Sequence, residues 1–548
     1  MFNGGRPVSP MIGICDQRIA RSDFAFHIKL REASKILDIT SSPTVVSSSS
    51  SAMAPIQSNW ATTLPGQQAR RPASWGFLTS ISAAAFVTQY FLAPGPLVQP
   101  PSLKSCLLDV CDGQPGCVQF PGEETSDWLQ PFNLGQVSVP AAIIRPKNAQ
   151  EIASIVNCAA THGSKVQAKA GGHSFANHGF GGEDGAVSVD MHNFRYVTVD
   201  SADLTARVGG GTSLRQLDDQ LRPFHRGIPH GGGFGPMSRM WGTTLDHVEE
   251  VEVVTANGTI VRASNHHNTD LFFAIRGAGA GFGIVTEFKM RTRSIPREVL
   301  HLDLTFDFEQ STDLTKEFIK WQKLAADRTL DHRFGTEFTV TPLGIRLSAT
   351  WYGTEEELND SGVLKKLSYQ VAIISSRESW ETSLARRESE ESLHIPNHPS
   401  KLLLKGLGFT QEDVLAGDQI ADLFEYLKVK SQLSTSWSIK FTASGGAVAD
   451  VPMAATAFAH RDKLMFYQSY SVDDSRETRS VLDGFHEKLL NLVHDEHQST
   501  YPGFSDPELR NPQRAYWGSN LPALEQIKAS WDPSDIFHHP QSVRPRSS

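Results

Sequence analysis

The chain has 548 residues, of which 20% are charged and 39% are hydrophobic, and its formal net charge is −9. This length and composition are typical of a globular protein with two or three domains, or of one large two-domain enzyme, with a sizeable core. The acidic charge is spread without obvious blocks and gives no basic footprint, so we expect no nucleic-acid partner.

The first hundred residues differ in composition from the rest. A Ser-rich run at 41–51 has no amphipathic period before it, which favours disorder. The Arg70–Arg71 pair then precedes an uncharged segment, 72–103, whose apolar centre has the layout of a secretory signal. Because such a signal should begin a chain, three interpretations are open: a mis-assigned start, with Met53 or another residue as the true one; a signal anchor that tethers the chain to a membrane; or a partly buried segment. We favour a secretory signal, and therefore a secreted protein.

The first regular pattern starts at 141–145, a short buried strand closed by a proline. Asn148 then opens a helix whose apolar residues recur at helical spacing and which ends at Gly163. Residues 166–168 form the next strand. Strand, helix and strand in this order predict an alternating arrangement.

A glycine-rich loop follows that strand. Residues 169–174 read Lys-Ala-Gly-Gly-His-Ser, and a second glycine cluster lies at 179–185. Glycines let a backbone lie close to a bound group, and successive N–H groups form a concave nest for a pyrophosphate. No Gly-Lys-Ser/Thr follows, which excludes a Walker loop, and strand-like sequence on both sides excludes a GxGxxG turn into a helix. Taken alone, the loop is either a flavin pyrophosphate site or a glycine-rich turn with an exposed histidine.

The loop resembles the FAD-binding domain of the berberine-bridge-enzyme-like flavoproteins, and most closely that of the fungal gluco- and chito-oligosaccharide oxidases. In that family the histidine of the Gly-Gly-His-Ser motif is bonded covalently to the flavin, and this position is His173 here. Further segments match in family order: 208–212, 241–242, 246–248, 251–258, 270–279 and 283–286.

The resemblance implies an α+β fold, a two-domain PCMH-type FAD-binding flavoprotein with a mixed-sheet substrate domain and a carboxyl-terminal segment that returns to the FAD domain. It divides the chain into an extension at 1–103, an FAD-binding domain at 104–298, a substrate-binding domain at 299–500 and a closing segment at 501–548. It further implies that these residues contact FAD: Lys169, Ala170, Gly171, Gly172, His173, Ser174, Gly179, Gly182, His230, Gly235, Gly283, Ile284, Val285, Tyr516 and Asn520.

One family feature is absent. In the doubly linked oxidases a second flavin bond comes from a cysteine in a Gly-Thr-Cys-Pro segment, which lies between a His-Gly and a Gly-Gly-x-Gly. Here residues 228–230 run directly into the glycines of 231–235, and no cysteine follows Cys158. The second, cysteinyl link is therefore absent, whether through a mis-predicted intron or a real deletion.

The five cysteines do not show zinc spacing. The resemblance implies a disulfide between Cys106 and Cys158, and Cys111 and Cys117 are placed for a second, local bridge. Disulfides imply an oxidising compartment. We expect no metal site and assign two histidine pairs in polar stretches to the surface: His266–His267 and His538–His539.

The later sequence resembles the family's substrate domain and closing segment. Strand-like runs at 302–306 and 346–352 alternate with helices such as 418–428. From Tyr516 onward the chain is similar to the family's closing signature. Tyr516 and Asn520 therefore either lie near the flavin ring or pack at a helix N-terminus.

Oxidation of an alcohol by a flavin needs a base within hydrogen-bond reach of the hydroxyl. The sugar oxidases use a tyrosine, helped by an aspartate, in a Tyr-x-Asn-Tyr-x-Asp motif. Here the motif keeps Tyr501 but has Phe504 at the base position, and the assisting aspartate falls at Thr442. We expect Tyr501 to be the base, with Lys440 (if a cationic neighbour or burial lowers its pKa) or a substrate group as alternatives. Gln468 matches a substrate-facing position in the sugar oxidases, or else makes a structural hydrogen bond.

Three functions are compatible with these patterns. The first is an FAD-dependent oxidoreductase that transfers a hydride from a hydroxylated substrate, such as a carbohydrate or oligosaccharide, to the flavin and is reoxidised by O₂ with release of H₂O₂. The second keeps this chemistry but acts on a secondary metabolite, as in oxidative cyclisation. The third is a flavin-deficient, inactive chain, which the missing cysteine loop and Phe504 support. The partners predicted are a small-molecule substrate and O₂, and the sequence does not indicate an oligomeric state.

Overall fold

The computed structural model describes residues 102–546 apart from gaps at 115, 123–126, 230–232, 236, 307–310, 368–373, 393–397 and 435. The Ser-rich run and nearly all of the predicted signal or anchor segment, 72–103, lie outside the described residues. Within the described ranges, no helix combines the length and the apolarity that a bilayer crossing requires.

Two disulfides fasten the start of the described chain. Helix α1 (Leu103–Val110) is joined to helix α2 (Ala149–Thr161) by the Cys106–Cys158 bridge. Cys111 and Cys117 form a second, local bridge after α1. Both predicted pairings are confirmed, and disulfides of this kind persist in oxidising compartments.

Local signals set both ends of α2. The side chain of Asn148 accepts a hydrogen bond from the Glu151 N–H at 2.9 Å, which satisfies a donor that the first helical turn leaves open. Gly163, just beyond the helix, has a φ of +68°, the left-handed conformation that favours glycine. The predicted helix and its boundaries are therefore confirmed.

Two main sheets build the amino-terminal half. The first has the strand order β1-β2-β4-β3, with β2, β4 and β3 parallel and β1 antiparallel to β2. The second is antiparallel with the order β5-β6-β10-β8-β9, and β7 pairs with β11. The strands are β1 (Val118–Gln119), β2 (Ala142–Ile144), β3 (Val166–Lys169), β4 (Val187–Asp190), β5 (Val197–Asp200), β6 (Thr205–Gly209), β7 (Arg226–Gly227), β8 (Val248–Val254), β9 (Ile260–Ser264), β10 (Ile284–Arg291) and β11 (Arg293–Ser294).

Short helices and turns connect these strands. The predicted Asn257–Gly258 turn joins β8 to β9, and Gly258 has a φ of +74°. The helices of this half after α2 are α3 (Leu214–Leu221), α4 (Ser238–Trp241) and α5 (Thr269–Ala278).

A seven-stranded sheet forms the second half, with the order β15-β12-β14-β13-β17-β18-β16. Its strands are β12 (Val299–Phe306), β13 (Phe334–Thr341), β14 (Gly344–Tyr352), β15 (Ile374–Glu378), β16 (Leu403–Phe409), β17 (Ser438–Ala443) and β18 (Met465–Ser471). Its helices are α6 (Ser311–Ala325), α7 (Glu355–Asp360), α8 (Val363–Lys366), α9 (Trp380–Ser392), α10 (Gly417–Lys430) and α11 (Arg476–Leu490), so the helix expected at 418–428 is confirmed.

This sheet is antiparallel at every described strand pair, and in that detail the expectation of a mixed sheet is wrong. Strands β12 and β13 do run in the same direction and are connected through α6. However, β14 lies between them and pairs antiparallel with both. The family resemblance implies a mixed sheet, whereas in the structure the β13–β14 hairpin places β14 between the two parallel strands.

The two faces of the sheet differ in what covers them. One face carries the large apolar side chains Phe338, Phe441 and Tyr467, which pack in one core with α6, α10 and α11. Side chains alternate along a strand, so the neighbouring residues point to the opposite face. That second face packs against the first half of the chain, where Leu404 and Tyr470 contact Phe132 and Phe175.

The chain then returns to the first half. Helices α12 (Pro512–Trp517) and α13 (Leu521–Trp531) pack in the same core as α5 and the second sheet. A buried ion pair joins the halves as well, because the Arg461 guanidinium donates to both oxygens of Asp246 at 2.7 and 2.8 Å. Although burial opposes ionisation, these bonds hold the pKa of Asp246 below its usual value.

Candidate active site

The predicted flavin loop begins where β3 ends. Lys169, the last residue of β3, lies 3.5 Å from the Asp190 carboxylate. Gly172 has a φ of +74°, and a Cβ added there would meet the Lys169 side chain at 3.0 Å, so the loop requires glycine at this position. His173 is exposed on its open side, and its ring centroid lies 4.9 Å from that of Phe132.

The protonation state of His173 suits a nucleophile. Desolvation lowers the pKa of its imidazole, so the ring is neutral at neutral pH and keeps an unprotonated nitrogen. A nucleophile is activated when its reacting atom carries no proton. The loop therefore presents a neutral imidazole where the resemblance implies a covalent bond.

The same loop contributes to the wall of a cavity of about 150 Å³. Its contribution is His178, five residues after His173. Most of one wall is the glycine-rich turn that follows α5. The remaining lining residues come from the closing segment, and the complete wall consists of His178, Gly277, Ala278, Gly279, Ala280, Gly281, Pro502, Tyr516, Trp517, His539 and Ser542.

Two stacked histidines form another part of this wall. The rings of His178 and His539 lie 3.8 Å apart at an interplanar angle of 26°, and His539 is only 7% exposed. The expectation that the His538–His539 pair lies at the surface is therefore wrong for His539. The closing segment folds back onto the flavin loop, and this buries a ring that its polar sequence neighbours had suggested was solvated. The prediction that His266–His267 is exposed is confirmed.

The wall of this cavity has features that suit one part of a flavin nucleotide. A Cβ added at Gly279 would lie 3.8 Å from Ile275, and one at Gly281 would lie 3.6 Å from Ser542, so both glycines leave the backbone bare at a wall where a Cβ would make ordinary van der Waals contacts. A bare backbone and flat side-chain rings allow a planar ring system, such as that of a flavin, to come close. Tyr516 closes the wall, where its hydroxyl donates to Gln541 at 2.9 Å.

The other residues predicted to contact the cofactor differ in their surroundings. In the loop, Gly171 packs against the ring of His173, Ser174 Oγ lies 3.2 Å from Ser505 Oγ, and Ala170 is exposed. His230 lies outside the described residues.

Several predicted glycine contacts have packing roles. A Cβ at Gly283 would meet Val253 at 2.4 Å, and one at Gly182 would meet Pro540 at 2.9 Å. A Cβ at Gly179 would meet the Lys169 side chain at 3.3 Å, and the Gly235 N–H donates to Ser238 Oγ at 2.9 Å. Ile284 and Val285 are ladder residues of β10.

Asn520 also has an observed structural role. Its side-chain amide donates to the carbonyls of Met453 and Thr456, both at 3.1 Å, and so fixes the loop before β18. Of the two closing-segment residues predicted near FAD, Tyr516 lines the cavity and Asn520 holds a neighbouring loop.

An aromatic cluster surrounds the predicted base. Tyr501 contacts Phe234, Phe458 and Phe504 with ring centroids 5.2–6.1 Å apart, and Phe504 lies 6.1 Å from Phe466. Burial raises the pKa of Tyr501 to about 12, so its phenol is protonated at neutral pH. To act as the base, Tyr501 would first have to lose this proton, which burial makes harder.

The other two predicted catalytic residues are direct neighbours. Lys440 on β17 pairs with Gln468 on β18, so their side chains share the face of the sheet that packs against the first half. Gln468 follows Phe466 by two residues on the same face. The structure thus brings Tyr501, Lys440 and Gln468 into one region, with Phe466 and Phe504 between them.

Sequence reasoning missed three residues of this region. Glu337 on β13 lies opposite Thr442 on β17 and accepts a hydrogen bond from the Thr442 hydroxyl at 3.1 Å. His178 and His539 were also not assigned to the site. No local pattern marks these residues, because each reaches the site through a partner distant in sequence.

Acid is expected to destabilise the protein below pH 6.5 through His178. Burial lowers the pKa of this ring to about 4, whereas the unfolded chain has a value near 6.5 and so binds more protons between these limits. The neutral ring makes its full contribution to the free energy of unfolding above pH 6.5. At pH 5 this free energy is lower by about 2 kcal/mol.

Melting temperatures of the wild type and of His178→Phe between pH 4.5 and 7.5 measure this effect. Phenylalanine keeps a ring against His539 but does not titrate. The wild type should lose stability more steeply with acid than the variant, and parallel curves would show that His178 does not carry the effect.

Two family models match the chain. One described as "FAD binding domain" matches residues 140–264, and one described as "Berberine and berberine like" matches residues 500–544. The first covers the parallel strands and the glycine-rich loop, and the second covers the closing segment that lines the cavity. Fold and site together define an FAD-dependent oxidoreductase.

Individual relatives agree with this class. The chain is 33% identical to the FAD-linked oxidoreductase sorD of Penicillium rubens, over 81% of this chain and 98% of that protein. It is 30% identical to the carbohydrate oxidase of Microdochium nivale, over 78% of this chain and 92% of that protein. A structure of the glucooligosaccharide oxidase from Acremonium strictum, which carries a 6-S-cysteinyl, 8α-N1-histidyl FAD, has a TM-score of 0.73 and 27% identity, and the match covers 82% of this chain and all of that one.

The chain belongs to the berberine-bridge-enzyme-like FAD-linked oxidases. This confirms the predicted family, the two-domain α+β fold and the use of FAD. The chain is therefore an FAD-linked oxidoreductase, the class to which the first two of the three predicted functions belong.

Proposed function

We propose that this protein is a secreted oxidase that holds FAD covalently through His173 alone and oxidises a hydroxyl group of a carbohydrate or oligosaccharide. The observation that carries the proposal is the position of His173, a neutral imidazole in the glycine-rich loop after β3, the loop whose His178 lines the cavity. The two disulfides of the described chain support a secretory route.

The protein's own groups would bind and orient both reactants. Bound FAD supplies the hydride acceptor. The backbone of the flavin loop and the turn at Gly277–Gly281 hold its polar parts, while the stacked His178 and His539 rings limit its movement. With the cysteinyl link absent, His173 is the single covalent anchor that the sequence offers.

On the substrate side, a polar strip faces the aromatic cluster. Lys440, Gln468 and Thr442 present an ammonium, an amide and a hydroxyl on one face of the sheet. Such a set can hydrogen-bond several hydroxyl groups of a sugar ring, and a partly exposed aromatic side chain such as Phe504 suits the apolar side of the ring. These features, with the named carbohydrate and oligosaccharide oxidases among the relatives, support a carbohydrate substrate.

A second substrate class is favoured by one observation. The site has a cluster of five aromatic rings, Tyr501 among them, with phenylalanine where the sugar oxidases have a tyrosine. An apolar environment of this kind also suits an aromatic or polycyclic secondary metabolite. The relative sorD is named only as an FAD-linked oxidoreductase, and its name does not decide between the classes.

The test is hydrogen peroxide release by the purified protein, after its flavin absorbance has been recorded. The panel contains gluco-, xylo- and chito-oligosaccharides and, separately, aromatic alcohols. We expect saturable release with at least one oligosaccharide. Peroxide release with aromatic alcohols alone would show that the substrate is an aromatic metabolite and not a carbohydrate. A protein without flavin absorbance would contradict the oxidase proposal itself.

A further inference from the structure

A carboxylate lies in the same row of side chains as Phe466. Glu337 of β13 accepts a hydrogen bond from Thr442 at 3.1 Å, and the Lys440 ammonium lies 3.8 Å from the same carboxylate oxygen. The side chains of Glu337 and Lys440 are 22% and 18% exposed, so both are largely enclosed but retain an open side.

Strand register connects this carboxylate to the aromatic cluster. Phe466 pairs with Thr442, and Thr442 pairs with Glu337, so the three side chains form one row across β18, β17 and β13. At about 4.8 Å per strand, Thr442 lies one strand and Glu337 two strands from Phe466. Phe466 in turn contacts Phe504 at 6.1 Å and Phe234 at 4.8 Å. The row therefore connects the Glu337 carboxylate, through Thr442, to the aromatic cluster that contains the expected base position, Phe504.

The charge on Glu337 is settled by its neighbours. Burial alone would raise the pKa of the Glu337 carboxyl, but Lys440, Arg387 and the Thr442 hydrogen bond outweigh it and lower the pKa. The group is consequently ionised at neutral pH and can accept a proton. Its neighbours also fix its orientation, which a general base requires.

The nearby alternatives are less suited to this role. Phe504 has no proton-accepting atom, and burial keeps the Tyr501 phenol protonated. His460 has a neutral ring, since burial lowers its pKa to about 3, but it is 1% exposed and packed edge-on against Phe458 and Phe466. A substrate hydroxyl cannot reach a ring enclosed in this way.

We propose that Glu337 is the general base of this enzyme, with Thr442 and Lys440 positioning its carboxylate. The inference rests on the proposed function. As the substrate O–H bond breaks, its proton passes to a Glu337 oxygen, and the hydrogen on the adjacent carbon leaves as hydride to the bound cofactor. The electron pair of the O–H bond forms the new C=O bond, and the proton on Glu337 is later released to solvent.

The test compares the wild type with Glu337→Gln, which keeps size and most hydrogen bonding but removes the charge. Two quantities are measured on protein with a normal flavin spectrum: the dissociation constant of a substrate, from the perturbed flavin absorbance, and the rate of flavin bleaching without oxygen. We expect an unchanged dissociation constant and a bleaching rate that falls by about 10²–10⁴-fold. Asp303→Asn is the matched control, because Asp303 lies in the same row two strands farther out, and it should leave both quantities unchanged.

Rescue and pH dependence make the test specific. The double variant Glu337→Gln/Thr442→Asp returns a carboxylate to the row and should recover part of the lost rate. The wild-type rate should be constant from neutral pH down to about pH 5, since the carboxylate stays ionised there, whereas a tyrosine base would give a rate that rises into the alkaline range.

Three results would overturn the inference: an unchanged bleaching rate in Glu337→Gln, weaker substrate binding with an unchanged rate, or an alkaline rise in the wild-type rate. If the wild type holds flavin but neither the oligosaccharides nor the aromatic alcohols bleach that flavin, the result would instead contradict the proposed function. The two failures are therefore distinguishable.

Discussion

Replacing His173 by alanine is expected to abolish covalent attachment of FAD completely. His173 is the histidine of the loop after β3, its ring is neutral, and the cysteinyl link found in the Acremonium oxidase has no counterpart here. With its single anchor removed, the flavin should dissociate when the protein is denatured. Denaturation in acid followed by electrophoresis under blue light measures this, because covalent flavin leaves a fluorescent band.

The matched control is His267→Ala, which removes an exposed histidine of the same half of the chain and should keep the fluorescent band. A fluorescent His173→Ala band would mean that another residue forms the bond. A wild type without fluorescence but with dissociable flavin would contradict the covalent link alone. A wild type without any flavin would contradict the oxidase proposal, and the transcript across residues 229–233 should then be sequenced.

The elements around the flavin loop could be predicted because their signals are local. Asn148 supplies the cap of α2, Gly163 supplies the left-handed residue after it, and Asn257–Gly258 supplies the β8–β9 turn. Each signal acts within a few residues through backbone geometry or a single hydrogen bond. The sequence therefore shows them directly.

The wall of the cavity could not be predicted in this way. His178 and His539 are separated by most of the folded chain, and their stacking depends on how the closing segment returns to the flavin loop. A polar sequence neighbourhood describes only what lies beside a residue in the chain. It contains no signal for a ring that a distant segment covers.

The carboxylate of the proposed base illustrates the same limit. Thr442 occupies the position of the family's assisting aspartate, but Glu337 comes from a strand about a hundred residues earlier. Only the pairing of β13 with β17 places the two opposite each other. Register over such separations is decided by packing of the whole sheet, so the replacement of one carboxylate position by another becomes visible only in the structure.

Lys528→Met is expected to lower the free energy of unfolding by about 3–5 kcal/mol. The Lys528 ammonium lies 2.6 Å from Asp532 and donates to the carbonyls of Gly281 and Phe537 at 2.6 and 2.9 Å. Both charged side chains are 0% exposed. Methionine nearly matches the volume of lysine, but it leaves the Asp532 carboxylate buried without a counter-charge.

Denaturant unfolding of four proteins separates charge from packing. The control is Lys323→Met, which replaces an exposed lysine on α6. It should change the free energy of unfolding by no more than about 0.5 kcal/mol. The double variant Lys528→Met/Asp532→Asn removes both charges and should be more stable than Lys528→Met alone, and equal stability of the two would show that the charge argument is wrong. Because Lys528 holds the carbonyl of Gly281, a residue of the cavity wall, the flavin absorbance of the single variant should also change at lower denaturant than that of the control. That result would explain physically why the carboxyl-terminal segment returns to the FAD domain: its buried cation fixes the turn against which the cofactor lies.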